Sequence, residues 1–541
     1  MRSPRARAGE VAARLLRSAQ DNAADALGMT VLRLGLRPPL TRTPRLALEQ
    51  WKTAIAGVEP GSKGRILIVA FRNRTWIEWA VFAACSIYRL GYRPILVYSS
   101  REIARVYRER RLTERMGFSF WEGVKRLSFI DRIDLDRCHA GDGLEAAYAQ
   151  CASSGAPTVA AYDLGVEEFD DSDEYRSKVE SDTHMLQTYG AAAERVLRSV
   201  GASRAVCPSG LIGWSMAFRE AAARTGTPTV FVEAWAMRPG HMIWRVDECA
   251  LQYDLDGWMQ ELGGWDDGKE QDARDFATFQ ERADVNRDGW LDDFHPVQRS
   301  PREALLPRRV QEFLERPGPC VLMGTNVIGD SSTLQRASLF KNQQHWVEAV
   351  LQFFGSRRDL NLVIRAHPDE VWARARRKIA DLACVAARDL DNVLVLGGDE
   401  DVNTYAIGDR AAVCLAWVSN IGLDMVLRGK PTILAAKAQY ARLGIGISPS
   451  SIAAYFHEID HQAYHPDPPS PSTILRAKTY QHIVFKTMSL RATGAHYATT
   501  EYRLCPDAIQ PERTTFFRIL VGELSPYGRP AEGTLSRPVA G

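Results

Sequence analysis

The feature that most constrains the fold is a repeated alternation between short, mostly apolar runs and longer segments with helical spacing. Five such runs occur in the second half of the chain, and helical segments such as 344–354 and 421–428 lie between them. Strands without polar alternation are typical of parallel sheets that helices cover on both faces. The pattern therefore predicts an α/β fold with a doubly wound sheet. Its strands are expected at residues 320–323, 362–365, 393–396, 412–415 and 432–435.

The same alternation occurs in the first half of the chain. An apolar run at 66–71 precedes a helical repeat that ends near Gly91, where glycine can cap a helix, and a second run follows at 95–98. This order is one βαβ unit of a parallel sheet. Further strands are expected at 158–162, 205–207 and 229–232, with helices at 173–199 and 211–224.

Chain length sets the number of domains, because 541 residues are too many for a single hydrophobic core. The two α/β series predict two Rossmann-like domains, separated by a stretch rich in Asp, Gly, Trp and Arg that has no clear period. An N-terminal helical segment precedes them, and a C-terminal helical extension with a tail follows. The five predicted ranges are 1–60, 61–256, 257–318, 319–471 and 472–541.

Charge and cysteine usage exclude several functional classes. The chain carries 68 basic and 66 acidic residues, a net charge of +2, which gives no support to nucleic acid as a partner. Its nine cysteines are dispersed and form no CxxC pair, so neither a zinc site nor a disulfide framework is predicted. A reducing compartment fits this usage best. We expect no metal and no cofactor.

The N-terminus bears on localisation. No apolar stretch is long enough to span a membrane, and the basic start is not followed by the apolar region of a secretory signal, so a cytoplasmic protein is expected. Val11, Leu15, Ala19, Ala23 and Leu27 form a helical stripe. A helix packed on the protein body is the favoured interpretation, since the stripe is mostly alanine, and peripheral contact with the inner membrane is the alternative.

Ligands of open parallel sheets bind at the carboxyl ends of the strands. After the run at 320–323 comes a small, polar, glycine-containing loop with Thr325, Asn326 and Asp330. Such a loop can bring backbone N–H groups and hydroxyls close to a sugar or a phosphate. It lacks the Gly-Lys-Ser/Thr ending of a Walker loop, and an ordinary βα turn would have the same spacing.

Two further strand ends carry polar residues. Arg365 and His367 follow the second run, and Pro368 predicts that a helix begins directly after His367, where anions are favoured. Arg365 needs a partner, either a donor phosphate or a buried carboxylate. After the fourth run, Ser419 or Asn420 can cap a helix. Two helix N-termini side by side would form a phosphate-binding site. Asp424 lies one turn into the second helix, where its carboxylate could accept a hydrogen bond from a sugar hydroxyl.

Three carboxylates of the first half are candidates for a general base. Glu233 and Asp163 directly follow expected strands, and Glu78 lies near the end of the first strand. Each could remove a proton from an acceptor hydroxyl. Each could equally pair with a nearby arginine, and the sequence alone does not separate these interpretations.

One motif partly matches a calcium-binding loop but is not interpreted as one. Residues 284–289 match the first half of an EF-hand loop, with Asp284, Asn286, Asp288 and Gly289 in place. The twelfth position should be a bidentate glutamate and is instead His295. A surface turn is therefore the favoured interpretation over a calcium site.

Five short motifs occur in order along the second half. They are Thr325-Asn326-Val327 with Asp330, residues 362–370 around His367-Pro368, Asn403-Thr404-Tyr405, residues 419–424, and Arg428-Gly429-Lys430-Pro431. Together they resemble the capsular polysaccharide biosynthesis proteins, which are bacterial GT-B glycosyltransferases. The resemblance covers about residues 319–457 and is looser in the first half, at Pro208-Ser209-Gly210 and Val232-Glu233.

The His-Pro pair and the Ser-Asn pair are also similar to motifs of bacterial transferases that use CMP-activated acidic sugars such as Kdo and sialic acid. In those enzymes the histidine and a Ser-Ser/Thr pair hold the nucleotide phosphate. The resemblance implies that His367 and Ser419 bind donor phosphate here. Asn420 departs from the usual Ser or Thr and leaves the identity of the nucleotide open, although an amide can still donate to phosphate.

The resemblance implies a glycosyltransferase with a GT-B fold, in which two Rossmann-like doubly wound domains face each other across a cleft. The second domain is expected to bind the nucleotide-sugar, and Glu233 to take the proton of a saccharide or lipid-linked acceptor. His367 is expected to assist departure of the nucleotide phosphate. The full set expected at the donor is Thr325, Asn326, Asp330, Arg365, His367, Ser419, Asn420 and Asp424.

Three alternatives stay open from the sequence. On the same fold, the chain could transfer a polyol phosphate from a CDP-activated donor, or it could epimerise a nucleotide-sugar. It could also be a non-catalytic partner in a polysaccharide assembly complex that keeps the phosphate site and lacks the base. The products, or retained nucleotide binding without turnover, would separate these possibilities.

Overall fold

The computed structural model describes most of the chain in eleven stretches. They are residues 42–59, 61–71, 74–102, 121–138, 143–234, 241–251, 255–262, 264–281, 306–371, 375–491 and 510–527. The chain divides into two compact units that interleave: unit 1 draws on 1–152, 184–250 and 488–541, and unit 2 on 153–183 and 251–487. The domain ranges predicted from the sequence are consecutive and do not include this interleaving.

Unit 1 contains a seven-stranded, mainly parallel sheet. Numbered along the chain, its strands are β1 Arg65–Val69, β2 Arg93–Tyr98, β3 Asp131–Asp134, β4 Arg204–Pro208, β5 Thr229–Ala234, β6 His241–Val246 and β12 Ser489–Arg491. Their order is β12-β6-β5-β4-β1-β2-β3, so that β1 lies beside both β2 and β4, as in a Rossmann-like sheet. The strands β6 and β12 extend it in antiparallel fashion.

Unit 2 contains a five-stranded sheet in which all strand pairs are parallel. The strands are β7 Cys320–Gly324, β8 Asn361–Arg365, β9 Val393–Leu396, β10 Val413–Ala416 and β11 Thr432–Leu434. Their order is β11-β10-β7-β8-β9, so the chain runs outward from β7 through β8 to β9 and then returns to the other side of β7. All five strands predicted from the apolar runs are present, and the predicted doubly wound α/β fold is confirmed in each unit.

Helices cover these sheets. In chain order they are α1 Arg42–Ala54, α2 Arg74–Arg89, α3 Ala149–Leu164, α4 Asp173–Val200, α5 Ser215–Thr225, α6 Asp256–Glu261, α7 Asp267–Glu281, α8 Arg308–Leu314, α9 Gln343–Ser356, α10 Ile379–Ala386, α11 Thr404–Arg410, α12 Asn420–Leu427, α13 Ile452–Tyr464, α14 Pro471–His482 and α15 Thr515–Leu520.

Each unit has its own apolar core. In unit 1, Phe516 of α15 packs its ring against Trp79 of α2 and Trp244 of β6. In unit 2, Leu322 of β7 and Met425 of α12 are completely buried in one cluster. Burial of one such side chain stabilises the folded state by about 1.5–3 kcal/mol. Two separate cores agree with the size limit that a chain of this length sets.

The strand predicted at 158–162 is wrong, because these residues lie inside the helix α3. Val159, Ala160 and Ala161 are all fully buried, and three consecutive buried apolar residues have no distinctive period. The surrounding alanines favour a helix. Gly165, at φ 65°, then takes the left-handed conformation that commonly ends helices.

The third parallel strand of unit 1 is instead β3, whose sequence is Asp-Arg-Ile-Asp. It lies at the edge of the sheet, where short, charged strands are common because they resist pairing with other chains. Such a strand carries no apolar run. The helix predicted at 211–224 also begins later, at Ser215, since the turn after β4 occupies the first residues.

Some predictions fall outside the described residues. The N-terminal stripe at 11–27 and the EF-hand-like stretch at 284–295 are among them. In the part of the chain that the structure describes, no helix is both long and apolar enough to cross a lipid bilayer. The cytoplasmic localisation and the peripheral membrane contact stay predictions.

Candidate functional site at the carboxyl edge of the second sheet

The strand order of unit 2 indicates where a ligand would bind. The chain changes direction at β7, so the crevice between β7 and β10 is the topological switch point, the usual ligand site of open α/β sheets. Gly324 of β7 is paired with both Ala416 of β10 and Arg365 of β8. The residues that follow these three strands therefore emerge at one edge of the sheet, which we call the carboxyl edge.

The loop after β7 is held tightly at the carboxyl edge. Thr325 is 2% exposed, and its N–H donates to the Arg365 carbonyl at 3.1 Å. The Asn326 N–H donates to Gln343 Oε1 at 2.6 Å, and Gln343 Nε2 donates back to the Asn326 carbonyl at 2.9 Å. Asn326 Oδ1 accepts from the Val418 N–H at 3.2 Å. Asn326 thus joins the β7 loop to α9 and to the loop before α12, across the switch point.

Asp330 makes hydrogen bonds within its own turn. It is exposed, and its carboxylate accepts from the Ser332 N–H at 3.3 Å and from the Ser332 hydroxyl. Its carbonyl accepts from the Thr333 N–H at 2.9 Å. Asp330 therefore stabilises its own turn, and its contact with a donor stays a prediction.

Arg365 is buried, and its guanidinium bonds the neighbouring loop. Nη1 donates to the Gly397 carbonyl, Nη2 to the Glu400 carbonyl at 3.3 Å, and Nε to Thr404 Oγ1 at 3.3 Å. Burial lowers the pKa of Arg365 to about 10, so the group remains charged at neutral pH. These contacts fix the loop between β9 and α11, and neither partner considered from the sequence, a phosphate or a buried carboxylate, is needed to explain them.

His367 lies beside a shorter element than the sequence indicates. The α-helix expected directly after it is instead a 3-10 helix, Pro368–Val371, and α10 begins only at Ile379. Four residues carry a much smaller dipole than a full helix. The predicted phosphate-binding site of two α-helix N-termini is therefore wrong at this position.

The His367 ring nevertheless has a defined polarity. Nδ1 accepts the Asp369 N–H at 3.1 Å, and the side chain is 33% exposed. When Nδ1 of a neutral imidazole accepts, the ring proton sits on Nε2. Nε2 is thus a hydrogen-bond donor suited to a phosphate oxygen.

The third loop of the carboxyl edge starts α12. Ser419 caps the helix, with its Oγ accepting from the Ile421 N–H at 3.4 Å, as predicted. Its carbonyl accepts from Tyr440 Oη at 2.7 Å, which fixes the cap from the opposite side. Ser419 and Asn420 are both partly exposed. A capping hydroxyl keeps its own proton for donation, so the α12 N-terminus can bind an anion.

Asp424 lies deeper than expected. It is 4% exposed, and its Oδ2 accepts from Tyr405 Oη at 3.0 Å. This bond ties α12 to α11. The contact of Asp424 with a sugar hydroxyl stays a prediction.

The three candidate bases of the first half have different settings. Glu233 lies next to the last residue of β5 and is 8% exposed, in the expected position at the end of a strand. Asp163 is not at a strand end; it lies in α3 and pairs with Lys178 at 2.8 Å. Glu78 is buried in α2. Of the three, Glu233 alone keeps the strand-end position that the sequence predicts.

Sequence reasoning missed one carboxylate at the carboxyl edge, Glu167. A pocket beside it is lined by Glu167, Glu168, Ile328, Gly329, Lys341 and Trp417, among others. Ile328 and Gly329 belong to the β7 loop, and Trp417 follows β10, so this pocket lies at the switch point. Burial raises the pKa of Glu167 to about 7. Its position about 150 residues before β7 in the chain gives no sequence signal for this placement.

Comparison with known proteins assigns a family to the part of the chain that carries this site. Residues 303–465 match the family described as capsule polysaccharide biosynthesis protein. This segment belongs to that family. The resemblance predicted from the motifs over residues 319–457 is thereby confirmed for this segment. No curated protein matches the chain.

Solved structures with related folds are distant. A β-Kdo 2,4 transferase, KpsC of Thermosulfurimonas dismutans, is 15% identical over 60% of this chain and 88% of its own, with a TM-score of 0.34. The β-Kdo 2,7 transferase of the same KpsC is 12% identical over 59% and 87%, with a TM-score of 0.33. UDP-GlcNAc 2-epimerase from Neisseria meningitidis, bound to UDP-GlcNAc, is 10% identical over 76% and 94%, with a TM-score of 0.24. These likenesses are too distant to assign an activity.

The described residues hold no group of three or more His, Cys, Asp or Glu placed to bind a metal ion.

Proposed function

We propose that this chain is a glycosyltransferase of the GT-B type, which moves a sugar from a nucleotide-activated donor to a saccharide or lipid-linked acceptor during bacterial surface polysaccharide synthesis. The observation that carries the proposal is the position of the family match. Residues 303–465 include all of the unit 2 sheet and its switch point, where His367, Ser419 and Asn420 lie on loops of one edge. A capsule-synthesis family match and an edge with candidate phosphate-binding donors in one segment support transfer from an activated sugar.

The donor phosphate is assigned to the α12 N-terminus and to His367. The N–H groups of the first turn of α12, the Ser419 hydroxyl and His367 Nε2 are all donors. Negative charge grows on the phosphate as the bond to the sugar breaks. Donors that are already oriented stabilise that charge without reorganisation, and loss of one such donor typically costs about 3–4 kcal/mol in the barrier.

Thr325, Asn326, Arg365 and Asp424 have positioning roles in this proposal. Their contacts run to neighbouring loops and helices, so they hold the carboxyl edge in shape. Asp330 and Asn420 remain proposed donor contacts. A CMP-linked acidic sugar is the donor that the motif resemblance favours.

The base is assigned to Glu233. Its carboxylate takes the proton of the acceptor hydroxyl, and the acceptor oxygen forms a bond to the anomeric carbon. The bond from that carbon to the phosphate oxygen breaks, and its electron pair leaves with the nucleotide. Protein donors alone neutralise the phosphate in this scheme, so the proposed transfer is metal-independent and should persist in EDTA.

The test measures melting temperatures with CMP, CDP, UDP and GDP, on wild type and on His367→Ala. A ligand at a hundred times its Kd stabilises the folded state by about 2.7 kcal/mol. We expect one nucleotide to raise the wild-type melting temperature and the increase to shrink in His367→Ala. His461→Ala is the matched control, since this histidine is similarly exposed at 42% and lies on α13.

Transfer assays then separate the activities. With the donor identified, Glu233→Gln and His367→Ala should both lose most of the transfer, and wild-type transfer by both variants would refute the assignment. A glycoside product supports the proposal. A phosphodiester would instead indicate a polyol-phosphate transferase, and an isomerised nucleotide-sugar an epimerase. Nucleotide binding without any product would favour the non-catalytic assembly partner.

A further inference from the structure

A segment from the first half of the sequence is built into unit 2. Residues 153–183 belong to that unit, and residues 166–168 within them line the pocket at its carboxyl edge. The Gly165 carbonyl accepts from the Arg376 N–H at 3.1 Å, and Arg376 pairs with Glu174. Glu168 Oε2 accepts from the Gln335 N–H at 2.8 Å. Several separate contacts thus hold this segment in place around Glu167.

Glu167 binds the N-terminus of α9. Its Oε1 accepts from the Gln343 N–H at 2.7 Å and from the Gln344 N–H at 3.2 Å, and Oε2 lies 3.2 Å from the latter. Asn342 caps the same helix by accepting from the His345 N–H at 2.9 Å. Since α9 is the helix that follows the first strand of the unit 2 sheet, its N-terminus is where Rossmann-like folds commonly bind a ligand phosphate. In this chain a protein carboxylate occupies that position.

A chain of hydrogen bonds leads from Glu167 to the loop of the proposed phosphate site. The Glu167 carboxylate holds Gln343 through its backbone N–H, and the Gln343 side chain makes a reciprocal pair with the Asn326 backbone at 2.6 and 2.9 Å. Asn326 Oδ1 then accepts from the Val418 N–H at 3.2 Å. Val418 directly precedes Ser419, the cap of α12.

We propose that Glu167 is a positioning residue of the donor site, which holds the loop before α12 through Gln343 and Asn326. The inference rests on the proposed function, because it concerns the same phosphate site. The two residues that link Glu167 to Val418 are buried: Gln343 is 2% exposed and Asn326 is 7% exposed. Water competes poorly for hydrogen bonds in such a setting, so a change at Glu167 is transmitted to the Ser419 loop.

The test is a double-mutant cycle on nucleotide affinity, measured by titration calorimetry with the nucleotide that stabilises the wild type. Glu167→Ala and Asn326→Ala should each weaken binding by about threefold or more, and the double variant should bind no more weakly than Asn326→Ala alone. Residues that act through one network show such non-additivity. Glu167→Gln keeps an oxygen acceptor for the Gln343 N–H and should restore most of the affinity.

Glu168→Gln is the matched control. It removes a carboxylate from the same pocket, and Glu168 bonds Gln335 and Thr158 rather than the chain that leads to Ser419. Its nucleotide affinity should stay within about twofold of wild type. If Glu167→Ala does not fold, Gln343→Leu breaks the same chain one bond further along and tests the inference independently.

The outcomes are distinguishable. A wild type that binds none of the nucleotides overturns the proposed function and this inference with it. A wild type that binds one nucleotide while Glu167→Ala binds it equally well overturns the inference alone. Fully additive losses of nucleotide affinity in the double variant would also overturn the inference alone, because they would mean that Glu167 and Asn326 act separately.

Discussion

The pH dependence of stability should change markedly when Glu167 is replaced by glutamine. Desolvation raises the pKa of this carboxyl from 4.5 to about 7, even though the N–H groups of Gln344 and Gln343 favour the charged form. Glu348 and Asp170 add negative charge nearby and act in the same direction as burial. The folded protein therefore holds the Glu167 proton more tightly than the unfolded chain does.

The magnitude follows from linkage. The difference between about 7 in the folded state and 4.5 in the unfolded state corresponds to about 3 kcal/mol, at about 1.4 kcal/mol per pKa unit. Because folding raises the pKa, protonation of Glu167 favours the folded state. Its contribution to the free energy of unfolding is fully present below pH 4.5 and is lost as the pH rises through 7. Glutamine has no proton to lose, so Glu167→Gln lacks this contribution at every pH.

The assay is urea unfolding of wild type and Glu167→Gln at pH 5, 6, 7 and 8. The stability of wild type relative to the variant should fall across this range by up to about 3 kcal/mol. Other titrating groups are common to both proteins and cancel in the difference. Glu168→Gln, measured in parallel, controls for loss of one negative charge from the same segment. A difference that stays constant with pH, or that rises, would refute the reasoning.

Three other predictions test the fold and the site. Desolvation raises the pKa of Glu194, but hydrogen bonds from Tyr148, Arg224 and Arg198 outweigh it and lower the pKa to about 2. The charged carboxylate therefore favours the folded state, and Glu194→Gln should cost more stability at pH 7 than at pH 3. Equal losses at the two pH values in urea unfolding would contradict this. A Cβ on Gly422 would overlap Tyr440 Oη and lie 3.0 Å from Ala416 Cβ. Gly422→Ala should therefore lower the free energy of unfolding by about 1–3 kcal/mol and reduce the nucleotide-induced rise in melting temperature. Trp346 Nε1 donates to Tyr455 Oη at 2.8 Å in the core of unit 2. Trp346→Phe removes this donor and should lower the free energy of unfolding by about 1–3 kcal/mol without changing nucleotide affinity. Unaltered stability would argue against this bond.

Most of the strands that the sequence reveals are buried on both faces. In β7 and β8 every residue is buried, and short continuous apolar runs are typical of strands that helices cover on both sides. The strands that escaped prediction lie toward the sheet margins. β3 is charged and lies at one edge, whereas β6 and β12 form the antiparallel extension at the other. β3 and β12 each pair with a strand distant in the sequence, so their formation depends on that neighbour rather than on their own composition.

The position of the candidate site was predictable, because the topology of a parallel sheet decides it. Parallel strands end at a common edge, so Thr325, His367 and Ser419 could be placed together from their positions after apolar runs. The direction of a side chain was not predictable. Arg365 follows the same rule, yet its guanidinium bonds the carbonyls of Gly397 and Glu400. Sequence position cannot tell a phosphate from a loop carbonyl as the partner of a buried arginine.

The interleaving of the two units bears on how the chain can be made and divided. During synthesis, the sheet of unit 1 lacks β12 until residue 491 has been added, and until then β6 has no partner on its outer side. An unpaired strand edge invites association with other chains. A fragment beginning at residue 251 would likewise lack Glu167, which binds the N-terminus of α9. Cutting the chain between its two sheets should therefore yield two insoluble or unstable pieces rather than two working halves.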